Sequence, residues 1–423
     1  MLTDPEERKR QRQEKAAQRA QSKAQARKLG LRLIAAAVVL ITCGVLIFSL
    51  ARRPSQPDTP STGNTQQTSP SGTQEETAPS PTTTIHYVAA GDLNINDATV
   101  SSGGPSYVYT DAFLDVAHLL ADGDITTINF EGTLSGEPYG SSFSAPQSMA
   151  TALQKAGVDL VQMANSFSIN KGLSGLAASI ESVRSAGMEP LGVYATNADF
   201  KAGKGYTTRT VKGIKLAFVA FTKGMDGMAL PVGSENCVNV LYSDYDSVYQ
   251  NVNTEKITSV LSAVSKEKPD LTIALLHWGS EFNNTISDSQ KQIVDLMQAN
   301  GVDAIIGTHS HYVQKISFDE STGQLVAYSL GDFFSNPIRA GSEYSILLDL
   351  EITKDNKTGK TKITGFSHTP IFTVSEENQP LRVVRIQEAI KAYTDGHLQK
   401  VSQATYEKML YALERIEARI AGE

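Results

Sequence analysis

From Ile85 onward, short apolar runs alternate with segments of helical periodicity, and this alternation constrains the fold more than any other feature of the sequence. Residues 271–276 form a short, almost wholly apolar run of the kind found in buried strands, whereas residues 254–264 place their apolar side chains on one helical face. Strands that alternate with helices predict an α/β body. The apolar runs between residues 325 and 372 follow one another without helices, so we expect part of the sheet system to be antiparallel.

Polar side chains come directly after several of the predicted strands, where α/β folds gather their functional residues. Imidazole and carboxylate groups together suit Mn, Fe or Zn better than Ca or soft metals. We therefore predict a divalent transition-metal site at the strand ends. Four other histidines, His86, His118, His368 and His397, are expected to be ordinary surface or core residues. The candidate ligands are Asp92, Glu131, His277, His309 and His311.

The N-terminal part has a different composition. Residues 33–51 are a run of 19 residues without a charge, which as a helix would span roughly 28 Å, close to the thickness of a bilayer core. Ten Lys and Arg residues precede it, and the positive-inside rule then predicts a basic cytoplasmic tail over residues 1–32 and a body outside the cell. We expect a single-pass membrane protein; a cleaved signal peptide is the alternative.

The remaining boundaries follow from composition. Residues 52–84 are rich in Pro, Ser and Thr and are expected to be a disordered linker, because they cannot bury enough apolar surface to offset ordering entropy. Residues 85–374 form the predicted α/β domain, and residues 375–423 form a helical extension.

Charge and cysteine content exclude several classes of protein. Residues 54–423 carry 26 Lys and Arg against 41 Asp and Glu, and such an acidic body argues against nucleic-acid binding. The chain has 2 Cys, too few for a disulfide scaffold or a Cys-rich metal site. A serine or cysteine nucleophile is also disfavoured, because no G-x-S-x-G elbow is present and Cys237 has no neighbouring His in the sequence.

The order of the sequence motifs resembles that of the CapA family of bacterial capsule or poly-γ-glutamate synthesis proteins. The resemblance covers about residues 85–372 and rests on AAGDLNIN, INFEGTLS, MANSFSINKG, LLHWGSEF, VDAIIGTHSHYVQ and YSLGDFF. It implies a calcineurin-like metallophosphatase fold, in which two packed β-sheets are flanked by helices and metal is held on loops at the strand ends. It also implies a role in capsule or polyglutamate synthesis or export, with an anionic polymer and other synthesis subunits as partners.

The resemblance also assigns site residues. The five candidate ligands match the family's motif positions, and in the parent fold such groups hold two ions. This chain departs from the family at five positions. Ser166 replaces an Asn, Phe167 replaces the His expected to donate a proton, and Asn170 replaces an Asp. Thr308 stands where many members have another His, and Asp332 stands where the family has Asn. Possible neighbours of the site are Asn94, Asn129, Asn165, Ser166, Trp278, Glu281 and Asp332.

These observations leave three functions open. The chain is a capsule protein that handles an anionic polymer, a metallohydrolase of the cell envelope that cleaves a phosphoester or an amide, or a non-catalytic scaffold of the same fold. The retained His277, His309 and His311 favour the hydrolase over the scaffold, whereas Phe167 favours the scaffold over the hydrolase, because a phenyl ring cannot transfer a proton.

Overall fold

The computed structural model describes residues 81–398 and 400–423. Its first sheet has the strand order β14-β13-β12-β1-β2-β3-β4, and β11 pairs with the far end of β1. Strands β1 to β4 run parallel to one another, whereas β12, β13 and β14 are antiparallel. The strands are β1 (Thr82–Asn94), β2 (Ile125–Glu131), β3 (Leu160–Gln162), β4 (Glu189–Leu191), β11 (Asp332–Phe334), β12 (Tyr344–Asp355), β13 (Thr361–Val374) and β14 (Arg382–Arg385).

The second sheet has the order β5-β6-β7-β8-β10-β9. Its central strands β6, β7, β8 and β10 are parallel, and the edge strands β5 and β9 are antiparallel to their neighbours. Both sheets are therefore mixed, as the unbroken run of late strands predicted. The strands are β5 (Tyr206–Val211), β6 (Ile214–Thr222), β7 (Leu271–His277), β8 (Ala304–Thr308), β9 (Ile316–Asp319) and β10 (Gln324–Ala327).

The helices begin and end where local chemistry favours it. The helix at Asp288–Ala299 starts with a capping box between Ser287 and Gln290 and stops before Gly301, which has a φ of 84°. The helices are α1 (Asp97–Ser101), α2 (Thr110–Phe113), α3 (Ala117–Asp122), α4 (Gln147–Lys155), α5 (Gly172–Ser185), α6 (Asn197–Gly203), α7 (Thr254–Lys266), α8 (Asp288–Ala299), α9 (Ile386–Thr394) and α10 (Gln403–Ala421).

Apolar side chains from both sheets meet in a central core. Tyr87 of β1 and Phe218 of β6 meet there edge to face, with ring centroids 5.7 Å apart. The other face of the first sheet is covered by helices such as α4 and α5, and that of the second by α7 and α8. Helix α10 buries Met409 and Ile416 in the central core. The predicted α/β architecture of two packed sheets flanked by helices is confirmed.

The prediction of a membrane-spanning helix requires correction. Among residues 81–398 and 400–423, no helix is both long enough and apolar enough to cross a bilayer. This finding is contrary to the predicted single-pass membrane location. The segment on which that prediction rested, residues 33–51, lies outside the described residues, as do the predicted tail at 1–32 and most of the predicted linker. Strand β1 begins at Thr82, inside the 52–84 segment.

Candidate metal centre

The side chains predicted as metal ligands lie together at one edge of the two sheets. Asp92 lies near the end of β1, Glu131 ends β2 and His277 ends β7. His309 and His311 lie on the loop after β8. β1 pairs with β2 in parallel, and β7 pairs with β8 in parallel. The residues at the carboxyl ends of both strands in a pair therefore lie at the same edge of their sheet. The packing of one sheet on the other then brings the two pairs together.

These residues form two possible ligand groups that share Glu131. One consists of Glu131, His277 and His309, and the other of Asp92, Glu131 and His311. Within each group the candidate ligand atoms all lie within 4.8 Å of one another. His277 Nε2 is 2.9 Å from Glu131 Oε1, and the rings of His277 and His309 have centroids 4.5 Å apart. A shared carboxylate between two such groups is the arrangement expected of a two-ion centre.

Amide side chains hold the ligands in place. Asn129, which is opposite Asp92 in the β1–β2 register, donates a hydrogen bond to Asp92 Oδ1 through Nδ2. The same Nδ2 is 3.3 Å from His277 Nδ1. Asn165 Nδ2 donates to Asn129 Oδ1 at 3.1 Å, and the backbone N–H of His309 donates to Asp92 Oδ2 at 2.9 Å. Outer contacts of this kind fix the orientation of metal ligands.

His311 is held by a carboxylate and an aromatic ring. Its Nδ1 is 2.7 Å from Asp332 Oδ1, and its ring stacks on Phe282 with centroids 4.9 Å apart. Burial disfavours the charged imidazolium, but the carboxylates of Asp332, Glu131 and Asp92 outweigh that effect and raise the pKa of His311 to about 11. Because Nδ1 contacts Asp332, Nε2 is the ring nitrogen that would bind an ion once the imidazolium has lost its proton.

The buried acids lack sufficient compensating charge. Burial, together with the neighbouring charge of Glu131, raises the pKa of Asp92 well above its usual value. Burial likewise raises the pKa of Glu131 to about 8. Buried charges are costly unless they are paired or bound to metal. A divalent ion would supply the missing positive charge.

The neutral imidazoles complete the fit to a metal. Burial lowers the pKa values of His277 and His309, so both rings are neutral, the form that binds metals. His309 Nδ1 is buried and has no hydrogen-bond partner among the described residues. Such an unpaired acceptor is uncommon in a folded protein. The residues present therefore fit a divalent ion held by imidazole and carboxylate groups.

The histidine loop adopts a strained backbone. His309 has a φ of 90° and His311 a φ of 58°, in the left-handed region that non-glycine residues seldom adopt. Strain of this kind persists only where the surroundings hold it, and it clusters at functional sites. The left-handed backbone at these two residues directs both imidazoles of the H-x-H motif to the same cluster of candidate ligands.

The predicted neighbours do not all lie at the site. Ser166 Oγ is 3.1 Å from His277 Nε2, and Asn94, Glu281 and Asp332 line a cavity of about 190 Å³ that also reaches Glu131 and His311. Trp278 is different: its indole N–H donates to the carbonyl of Tyr328, and its ring stacks on Tyr328 in the core under α7 and α8.

Two aromatic residues that line the cavity, Phe143 and Phe282, were missed by sequence reasoning. Phe167, in the position where the resemblance implies His, contacts Phe143 with ring centroids 4.7 Å apart. Both rings and Phe282 line the cavity. Phe143 lies in the loop between β2 and α4, and no motif or spacing distinguishes it from other loop phenylalanines.

Comparison with known proteins identifies relatives of the chain. Residues 86–337 match the family model described as bacterial capsule synthesis protein PGA_cap. The capsule biosynthesis protein CapA of Bacillus anthracis is 25% identical over 296 residues, which cover 67% of this chain and 68% of that protein. The PGA biosynthesis protein CapA of Bacillus subtilis (strain 168) is 24% identical over 212 residues, 50% of this chain and 51% of that protein.

A solved structure also resembles this one. The calcineurin-like phosphoesterase YfkN from Bacillus subtilis is 14% identical, with a TM-score of 0.42, and the match covers 80% of this chain and 99% of that chain. The match to the family model covers more than half of the chain and confirms the resemblance inferred from the motifs. This chain therefore belongs to the bacterial capsule synthesis protein family PGA_cap.

Proposed function

We propose that this protein handles an acidic capsule polymer at a divalent metal centre during capsule synthesis. The observation that carries the proposal is the pair of ligand groups joined through Glu131, which lines an open cavity together with His311. The names of the two relatives connect them with capsule and PGA biosynthesis, which supports poly-γ-glutamate as the polymer. An association with other synthesis subunits stays a prediction from the family resemblance.

Each residue of the cluster has a definite task in this proposal. Asp92, Glu131, His277, His309 and His311 would hold the ions. A bound divalent ion supplies Lewis acidity, which polarises an oxygen of the ligand and promotes the ionisation of water. Asp332 orients the His311 ring through Nδ1, and Asn129 and Asn165 fix the Asp92 carboxylate.

The cavity mouth suits a chain with short aliphatic stretches. Phe143, Phe167, Phe282 and Ile338 present apolar surface around the opening, while Glu131 and His311 lie deeper. A polymer that alternates methylene groups with carboxylates could pack its methylenes on these rings and direct an oxygen to the metal. The acidic body disfavours broad electrostatic capture of a polyanion, so binding has to depend on such local contacts.

The retained ligand groups also favour a second candidate function, metal-dependent hydrolysis of a phosphoester or an amide. A divalent ion held by the same ligands would also promote the ionisation of water. However, the aromatic side chain of Phe167 occupies the position where the family resemblance implies a proton donor, and for that reason we rank hydrolysis below polymer binding. Among the residues that line the cavity, Glu281 and Asp332 carry carboxyl groups that could replace this proton donor.

The test compares the full chain with and without metal. The protein is stripped of metal with a chelator and reloaded with Mn²⁺, Fe²⁺ or Zn²⁺. Its affinity for poly-γ-glutamate is measured before and after reloading. The chain length of the polymer is then measured after incubation with the protein. We expect the reloaded protein to bind at least about tenfold more tightly than the stripped protein. His311→Ala should behave as stripped, and His397→Ala, a change at an exposed residue, should behave as wild type.

Equal affinity with and without metal would overturn the proposal. Binding followed by shortening of the polymer would favour hydrolysis over binding alone.

A further inference from the structure

A second cavity adjoins the metal cavity. It has a volume of about 260 Å³ and is lined by residues of the β11–β12 loop, β13 and α10. Ile338 lines both cavities and forms a shared wall between them. The two cavities are therefore neighbours on either side of Ile338.

Two cations line this second cavity. Arg339 and Lys408 are exposed, and neither forms an ion pair within residues 81–398 and 400–423. Glu343, which accepts a hydrogen bond from the backbone N–H of Gly341, also lines the cavity. Two cations and one carboxylate leave a single net positive charge, in a body that is otherwise acidic.

Arg339 also connects this cavity to the metal site. Its guanidinium carbon lies 4.8 Å from the centroid of the Phe282 ring, and that ring stacks on His311 at 4.9 Å. Arg339 and the candidate metal ligand His311 therefore both contact the Phe282 ring. Stacking on an aromatic face restrains the guanidinium and leaves its N–H groups directed outward.

A buried hydroxyl in the cavity wall has no partner. Thr373 of β13 is 2% exposed and lines the cavity, and its Oγ1 has no hydrogen-bond partner among the described residues. Buried polar groups are normally paired, so an unpaired hydroxyl at a cavity wall points to a polar ligand.

We propose that the second cavity binds a carboxylate of an acidic polymer, on the repeat unit next to the one at the metal. This proposal rests on the proposed function and adds a named anion site to it. An arginine matches the two oxygens of a carboxylate with paired N–H donors, and the single net charge of the cavity suits a singly charged group better than a doubly charged phosphate. Lys408 supplies a second point charge from α10.

The test measures binding of a short fluorescent oligo-γ-glutamate to the metal-loaded full chain by anisotropy, together with metal content by mass spectrometry. We expect the double variant R339Q/K408Q to weaken binding by about tenfold or more, with unchanged metal content. The control R184Q/K266Q removes the same charge from α5 and α7, which do not line the cavity, and should bind as wild type. Thr373→Val keeps the shape of the side chain and should also weaken binding, without loss of thermal stability.

The results separate this proposal from the proposed function. Unchanged binding by R339Q/K408Q at wild-type metal content would overturn the anion site while leaving the metal centre intact. Failure of the metal-loaded wild type to bind the oligomer would also overturn it. If polyphosphate of equal charge competed far better than unlabelled oligo-γ-glutamate, the site would be one for phosphate, and the carboxylate assignment would be wrong.

Discussion

At the scale of single residues, burial of charge determines what the site can do. Asp92 and Glu131 are 0% and 2% exposed. Among the described residues, neither carboxylate forms an ion pair with a Lys or an Arg. Such carboxylates are tolerated only when protonated or when a cation joins them. Whether a proton or a cation neutralises these carboxylates therefore determines the chemistry of the site.

The H-x-H pair gives a direct prediction about metal content. His309→Ala removes a ligand from the group that contains His277, and His311→Ala removes a ligand from the group that contains Asp92. Each change should reduce bound metal and lower metal affinity by about 10- to 100-fold. The matched control is His397→Ala, at an exposed position after α9. Equal metal content in the three variants, measured by mass spectrometry, would mean that the pair has a structural role alone.

Proton release should accompany metal binding. In the metal-free protein Glu131, with its pKa near 8, holds a proton at neutral pH, and so does His311, with its pKa near 11. Both must lose that proton to bind metal, so affinity should rise with pH through about 8 and continue to rise above it because of His311. Calorimetric titration in buffers of different ionisation enthalpy measures the protons released. Metal affinity that stayed flat between about pH 6 and about pH 9 would contradict this explanation.

The replacement of a histidine by Phe167 predicts that metal binding and hydrolysis are separable. General acid–base catalysis contributes a factor of about 10²–10⁴, so the wild type should bind metal but turn over simple phosphodiesters slowly. Ser166→Asn together with Phe167→His should raise the rate at matched metal loading. Phe143→His places an imidazole in the same cavity at a different position and should not raise the rate. Rapid turnover by the wild type would contradict the loss of acid–base function.

Single-residue predictions from the sequence were good where strand ends carried the signal. The five candidate ligands lie together because each lies at or near the end of a strand, although their role as ligands stays a prediction. Trp278 was placed near the site by adjacency to His277, but successive residues of a strand point to opposite faces, and Trp278 packs in the core. Phe282 and Phe143 reach the cavity from loops whose paths are set by tertiary packing.

At the scale of elements, close backbone contact positions the site. Asp92 follows Gly91, and a Cβ at Gly91 would lie 1.9 Å from the carbonyl oxygen of Gly331. The N–H of Asp92 donates to that same carbonyl at 2.9 Å, where β1 meets β11. The dipeptide Gly91-Asp92 is common in turns, and the sequence does not reveal this contact because β11 lies far away along the chain.

This contact gives a stability prediction. Gly91→Ala should lower the free energy of unfolding by more than about 2 kcal/mol, because backbone has to move to admit the methyl group. It should also reduce bound metal, since Asp92 would shift with β1. The control is Gly365→Ala in β13, where a Cβ would meet nothing within 4 Å, and its effect should stay within about 0.5 kcal/mol. Equal losses in denaturant unfolding would refute the proposed role of Gly91.

Sequence periodicity predicted element types better than sheet membership. The buried face of α7 consists of Ile257, Val260, Leu261 and Val264, as the helical spacing indicated. Nothing local shows that β11 joins β1, or that β5 to β10 form a separate sheet, because strand pairing depends on long-range packing. The predicted membrane helix rested on the length of an uncharged run and the basic residues before it, and no helix of the described residues could cross a bilayer.

At the scale of the whole molecule, the site depends on two sheets meeting at one edge. Strands β1 and β2 of the first sheet supply Asp92 and Glu131, while β7 and the loop after β8 supply the histidines. Neither sheet alone contains a full ligand group, because each group combines a carboxylate from the first with an imidazole from the second. Metal binding should therefore stabilise the packing of the two sheets.

The metal content of the purified full chain shows whether Glu131 joins two metal-binding groups. The wild type should bind an ion at each group, and Glu131→Gln should lose metal from both, because that side chain belongs to each. Glu281→Gln removes a carboxylate from the same cavity but from neither group, so it should keep the wild-type content. Wild-type metal content in Glu131→Gln, or equal losses in the two variants, would contradict the account.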